Sequence, residues 1–332
     1  MKEAISFFRD KVELIDKFLS ITILLTPLSL AISIFFADLL ASISGIILII
    51  ILFQKRNLEI FKSIKKEIIF FIIFYFIILV SLILTSFKEV SFLPSFFYFR
   101  YFLLSLSIFY LLKKYNFFIK IFCNTIIFSI LVVILDSFIQ LYFGYNLLGY
   151  EKIGLTGVDR MQFVTSFFNQ EKKLGSYLVR FLPLVLSLIY LNYKKITPIL
   201  ELSLVIAIGV VVYYTSERTA LFLLFIIYFF YFLISNKKLY FLVFFSVIFI
   251  FFSSQDTRLN KKYFHYTLEQ TGLKKIFSID KNQNLDTMVR YYSEEHENLS
   301  YTAFVIFKRN TLFGSGIKSF YHECNEIKNN GF

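Results

Sequence analysis

Charge is scarce in this sequence: Asp, Glu, Lys and Arg make up 17% of its 332 residues, against about 25% in a soluble domain. Together with 57% hydrophobic residues and a mean hydropathy of +0.68, that scarcity excludes a soluble globular protein. Cysteine is nearly absent. Cys123 falls within an apolar run and Cys324 in a polar tail, so a bridge between them would need one displaced through much of a bilayer. Tryptophan is missing, and 11 glycines and 4 prolines stand against 46 phenylalanines and 22 tyrosines. That excess is more than an aromatic belt at a membrane interface needs, and it reflects nucleotide bias rather than chemistry. Also missing are CxxC, HExxH, phosphate-loop and dinucleotide glycine patterns, which leaves metal, ATP and NAD chemistry without residues, so no cofactor is expected. No internal repeat or low-complexity tract breaks the chain.

What the sequence does have is a succession of apolar runs, most close to the length a bilayer asks for. They are Phe18–Phe36, Leu39–Phe53, Ile68–Leu84, Phe96–Leu112, Phe117–Ile139, Ser176–Leu191, Ile196–Tyr214, Thr219–Ile234 and Leu239–Phe252. The expected fold is all-α and polytopic, with about nine transmembrane helices over 1–252 and a large external segment over 253–332. The stretch before the first run is charged and the run is followed directly by a second, so the first helix is expected to stay as a span.

Lysine and arginine in short loops set the orientation of such a protein. One set of alternate loops, including Lys62, Lys65, Lys66, Lys113 and Lys114, holds 15 basic residues, and the opposite set holds six before the tail is reached. The basic excess of +12 is therefore a membrane signal, and no nucleic acid partner is expected. The amino terminus is placed in the cytoplasm. Gly144–Gly175, the turn Thr215–Arg218 and the tail Ser253–Phe332 are placed outside it.

The tail carries half of the Asn and Gln in about a quarter of the length, and all three histidines, His265, His296 and His322. Within it, Tyr301–Thr311 has apolar residues near helical spacing and runs into Gly314 and Gly316, where glycine stops a helix. A short amphipathic helix close to the membrane is the expectation.

Charges in or at the ends of spans need a reason, because hydrocarbon disfavours them by on the order of 3 kcal/mol or more. Lys120 lies near the cytoplasmic boundary and can snorkel, and Glu201 is similar. Arg100, Asp136, Arg180 and Arg218 all fall near the outer boundary. Arg100 and Asp136 are expected to form a structural ion pair between neighbouring spans, or to join an outward cavity. Arg180 stands in the first turns of a span after the polar run Asn169-Gln170-Glu171-Lys172-Lys173, and Arg218 in the tight turn Thr215-Ser216-Glu217-Arg218-Thr219. Either they fork onto phosphate oxygens of a diphosphate-bearing lipid carrier, or they pair structurally with Glu171 or Glu217.

Three stretches carry a resemblance. Phe167-Phe168-Asn169-Gln170-Glu171-Lys172-Lys173-Leu174-Gly175-Ser176-Tyr177-Leu178-Val179-Arg180-Phe181-Leu182-Pro183 has an acidic residue, a Gly-Ser-Tyr and an arginine ahead of a proline-containing span. Tyr214-Thr215-Ser216-Glu217-Arg218-Thr219-Ala220 is similar to a Ser-Gly-Glu-Arg-Thr-Ala turn, with Ser216 where the glycine would be. Glu295-His296-Glu297 through Tyr301-Thr302-Ala303 to Asn310-Thr311-Leu312-Phe313-Gly314-Ser315-Gly316 is similar to an external-loop pattern, with Thr311 in a usual proline place. In this order they resemble the O-antigen ligase and O-antigen polymerase family of bacterial inner-membrane glycosyltransferases.

The resemblance implies transfer of a glycan from undecaprenyl diphosphate to a hydroxyl on the periplasmic face, the hydroxyl being on lipid A core for a ligase or on another glycan for a polymerase. It implies Arg180 and Arg218 as the diphosphate-binding arginines, expected here to be the catalytic pair, while Glu171, Glu217 and Arg100 are expected as substrate-binding residues from their own charge and position near the outer boundary. The family also places a His-Pro-His-Asn-like motif after the glycine-rich stretch and its cysteine. This sequence has none after Cys324, so the expectation is a truncated reading of a longer gene, and no base is transferred to His296 or His322. A transporter for the same lipid-linked glycan would want outward arginines too, but it predicts pseudo-repeated halves that the sequence lacks. A third reading is a non-catalytic scaffold whose tail binds a partner.

Overall fold

The computed structural model describes residues 13–55, 58–154, 162–192, 198–234 and 294–329. They form helices and their connections, with one two-residue antiparallel pair, β1 (Ile153–Gly154) and β2 (Gln162–Phe163). The apolar helices are α1 (Leu14–Ile32), α2 (Ile34–Lys55), α3 (Lys65–Leu84), α4 (Lys88–Phe96), α5 (Phe99–Lys114), α6 (Phe118–Phe143), α7 (Leu174–Asn192), α8 (Pro198–Thr215) and α9 (Arg218–Ile234). In the tail stand α10 (Glu294–Arg309) and α11 (Phe320–Asn329).

Among the described residues, five stretches are long and apolar enough to cross a membrane: Leu14–Ile32, Ile34–Gln54, Glu59–Leu84, Lys88–Lys114 and Phe118–Phe143. The apolar parts of α7, α8 and α9, Leu174–Tyr190, Glu201–Thr215 and Arg218–Tyr231, are shorter. At 1.5 Å per residue, a helix of about 17 residues covers roughly 26 Å, short of a hydrocarbon layer of about 30 Å. The expected ninth run, Leu239–Phe252, lies outside the described residues. Eight expected runs thus coincide with helices, and five of them meet the length for a span.

The first boundary differs from expectation. The first two expected runs meet between Phe36 and Leu39, yet both of those residues, with Asp38 between them, lie inside α2 and the helices part at Ser33. The backbone barely breaks there, since Ser33 N donates to Ser29 O at 2.8 Å and Ala37 N to Ser33 O at 3.1 Å. A half-buried carboxylate near a helix start favours the aligned N–H groups, so the acid stays within the helix. In the tail, the expected helix over Tyr301–Thr311 begins earlier, at Glu294, and ends at Arg309 ahead of Gly314, whose φ is +71°.

The chain divides into two compact units. One holds Leu24–Leu40 and the described part of Tyr115–Thr267. Its core is built from stripes at helical spacing: Ile126, Ile130, Val133 and Ile134 of α6, Leu178, Leu182 and Val185 of α7, Val205, Ile208 and Val212 of α8, and Ala220, Leu224 and Tyr228 of α9. The Tyr228 hydroxyl, buried with its ring, donates to Val205 O at 2.7 Å.

The other unit holds Val12–Ile23, Ala41–Lys114 and the described part of Leu268–Phe332. Here α3 is apolar on every side and largely uncovered, with Phe70 74% and Phe76 65% exposed. Water would not tolerate so large a bare apolar surface, whereas lipid does. The unit also buries a charge that the sequence did not single out. Asp16 of α1 is fully buried, takes Lys114 Nζ at 2.6 Å and faces the Tyr110 hydroxyl at 3.3 Å. Removing either member of such a pair would leave an uncompensated buried charge.

Candidate functional site

The polar groups of the first unit gather where α6 ends, where α7 begins and where α8 turns into α9. Gly144, at φ +89°, closes α6 as a left-handed C-cap, its N–H donating to Gln140 O. Lys152 returns to the same end and donates to Leu141 O at 2.6 Å, and burial pulls its ammonium below the usual lysine range. Asp136 and Gln140, four residues apart, share one buried face of α6. Asp136 accepts from Leu147 N at 2.8 Å, from Asn146 Nδ2 at 3.3 Å and from Ser166 Oγ. Gln140 Oε1 accepts from Thr165 N at 2.8 Å and Ser166 N at 2.7 Å, while its amide donates to Tyr150 O. The segment after α6 is thereby nailed to that helix at both of its ends. One bond more, Val164 N to Tyr214 O at 3.1 Å, ties it to the end of α8.

Asp136 is therefore met by neutral donors of its own unit, where the sequence pointed to Arg100. A carboxylate accepting several good hydrogen bonds needs no cation. Arg100 belongs to the other unit, in the first turn of α5. Its Nη2 donates to the Tyr101 hydroxyl at 2.8 Å, and its guanidinium carbon lies 4.8 Å from the centre of that ring.

The two motifs of Arg180 and Arg218 meet through Glu217. Its carboxylate accepts from Gly175 N at 2.8 Å, from Ser176 N at 3.0 Å and from Ser176 Oγ at 2.7 Å. Those are first-turn groups of α7, which has orphan N–H donors and the positive end of its dipole there. No Ser, Thr, Asp or Asn immediately precedes α7 in the sequence, so the cap comes from about 40 residues away. Approach this close needs a glycine. A Cβ at Gly175 would lie 2.7 Å from Thr215 Oγ1 and 3.0 Å from Ala220 Cβ.

The turn that delivers Glu217 is strained. Ser216, standing where the resemblance has glycine, takes φ +56°, a left-handed conformation that disfavours a side chain by about 1–2 kcal/mol. Its hydroxyl is buried and makes no hydrogen bond, as does the Thr165 hydroxyl beside the Val164–Tyr214 bond. Arg218 follows as the first residue of α9 and is half-buried.

Arg180 lies one turn beyond Ser176 on the same face of α7, and a helical side chain leans toward its own N-terminus. It is thus directed toward the end that Glu217 caps. Arg180 is exposed, and neither acid proposed as its structural partner is available. Glu217 is engaged by α7, and Glu171 pairs with Lys173 at 2.5 Å, both side chains 54% exposed. Among the described residues, Arg180 takes part in none of the ion pairs.

The residues that the sequence overlooked are those that hold the loop. Gln140, Asn146 and Ser166 are neutral, so they carried no charge signal, and their partners lie 10 to 30 residues away in the chain. Neither cysteine is in a disulfide, Cys123 being buried in α6 and Cys324 half-buried in α11. No family model, no curated protein and no solved structure matches the chain.

Proposed function

We propose that the chain is an integral membrane glycosyltransferase resembling O-antigen ligase, acting at the periplasmic face of the bacterial inner membrane. It would transfer a glycan from undecaprenyl diphosphate to a hydroxyl of lipid A core or a related acceptor. The observation that carries this reading is Arg180. An exposed guanidinium in the outer turns of an apolar helix, with both neighbouring acids engaged elsewhere, is a cation that calls for an anion. A lipid-borne diphosphate supplies one at that depth.

In this reading Arg180 and Arg218 fork onto the diphosphate oxygens and neutralise charge as the bond from sugar to phosphate breaks. Glu217 does not compete for them, because its oxygens are taken up by Gly175 and Ser176. It positions instead, holding the two arginine-bearing segments together. The loop bound by Asp136 and Gln140 backs the arrangement, so that the arginines stand on fixed elements.

The test is binding of undecaprenyl diphosphate to the purified chain, with glycan transfer measured where a donor and acceptor are supplied. Arg180→Ala and Arg218→Ala should each weaken binding by at least tenfold. Arg218→Lys should not restore what Arg218→Ala loses, because a point ammonium cannot reproduce a bidentate fork. Full binding by Arg218→Lys, or unchanged binding by both alanine variants, would overturn the reading.

A further inference from the structure

The Gly-Ser-Gly stretch of the tail has no part in the reaction proposed above, yet the structure gives it a contact. The Thr85 hydroxyl donates to the Ser315 carbonyl. Gly316 takes φ +102°, and a Cβ there would lie 2.9 Å from Ser91 Oγ and 3.0 Å from Thr85 Cβ. Phe87 and His322 add a ring contact at 5.5 Å between centres. Thr85 directly follows Leu84, the last residue of a stretch long and apolar enough to cross a membrane. The tail is therefore clasped at the level where that helix leaves the hydrocarbon.

The clasp fixes the height of α10. A compact turn, closed by Gly314 N donating to Asn310 O at 2.9 Å, leads from α10 to Ser315. Ile306 turns inward and is 6% exposed, whereas Tyr301, Phe304 and Phe307 are 68%, 52% and 57% exposed. Their spacing of three residues lines them along the face away from Ile306. Leu312 extends this bare apolar surface at 85% exposed, and Lys308 lies over the Phe304 ring at 4.7 Å. Aromatic rings with a snorkelling lysine, on a helix whose other face is packed, are the composition of a helix lying in a membrane interface.

We propose that α10 is an interfacial helix. The Gly314-Ser315-Gly316 clasp on Thr85 and Ser91 holds it at the headgroup level, with Tyr301, Phe304 and Phe307 inserted among the lipids of the bilayer that the spans cross. The occupant of this face is lipid, because the clasp leaves it at the mouth of a span. The inference is independent of the reaction, since it uses no residue of the Arg180 and Arg218 site.

The experiment uses the full chain with Cys324→Ser, buried Cys123 being left in place, reconstituted in phosphatidylcholine and phosphatidylglycerol vesicles. Phe304→Cys, Phe307→Cys and, on the packed side, Thr302→Cys each carry a nitrobenzoxadiazole label, and lipids bear a nitroxide at either a shallow or a deep acyl position. The expected result is quenching at 304 and 307 at least twofold greater than at 302, and stronger with the shallow nitroxide than with the deep one. Three results would overturn the proposal. They are quenching at 304 and 307 no greater than at 302, no quenching at any site as a protein-covered face would give, and quenching strongest with the deep nitroxide as a spanning helix would give. Gly316→Val opens the clasp, and shallow quenching at 304 should then fall at least twofold. Unchanged quenching would overturn the role given to the clasp.

Discussion

At the residue scale, the acid that the sequence associated with substrate turns out to face backbone. Glu217 presents two oxygens to three donors of α7, and its neutral isostere separates acceptor from size. Glu217→Gln places an amide N–H₂ among N–H groups, where a buried donor without an acceptor is disfavoured by about 1–3 kcal/mol. The expected outcome is a lower melting temperature in detergent and weakened carrier binding, while Glu171→Gln, at an exposed pair, changes melting by less than about 0.5 kcal/mol. Equal effects of the two would remove the capping role. Ser216 makes the opposite case. Ser216→Gly should stabilise the chain by roughly 1 kcal/mol, since relief of left-handed strain exceeds the added entropy of the unfolded glycine. Thermal melting followed by circular dichroism checks it. The sequence made Ser216 legible, because a residue in a glycine's place is a local signal. The cap was illegible, since its partner lies 42 residues from the helix it closes.

At the element scale, helices were readable because hydropathy is a property of contiguous residues, and α7, α8 and α9 begin and end within two residues of the runs that marked them. Where an acid's partners come from a returning loop the sequence misleads: Asp136 suggested a cation where Asn146, Leu147 and Ser166 suffice. The tail element α11 adds a titration. Glu323 is buried, and burial first, then the neighbouring Glu326, raise its carboxyl above the ordinary value, against a smaller lowering by Arg309. The folded α11 thus holds a proton that the unfolded chain has already released. That contribution to stability is full below about pH 4.5 and is lost as pH rises through the raised value. Glu323→Gln should therefore melt higher than the native chain at pH 7 to 8 and lose the advantage near pH 4. An advantage that stayed constant across that range would assign the effect to packing instead of the proton.

At the scale of the whole molecule, the charge count of the loops and the clasp of the tail meet on one consequence. Lys88 is the single basic residue of the turn between α3 and the following helices, in the lysine-poor set of loops, whereas Lys113 and Lys114 stand at the far end of α5. The tail bonds to Thr85 and packs by Gly316 against Ser91, so it shares the face of the lysine-poor turn, whichever face that is. Loop charge then gives the direction, because basic loops stay in the cytoplasm. In spheroplasts expressing a chain with Cys324→Ser, an impermeant maleimide should label Glu89→Cys and Asn298→Cys alike, both positions being exposed. Lys113→Cys, exposed at the other end, should react only after lysis. Labelling of Lys113→Cys in intact spheroplasts with the other two silent would invert the chain and place the proposed diphosphate site in the cytoplasm. Labelling of Glu89→Cys without Asn298→Cys would separate the tail from the turn to which the clasp joins it.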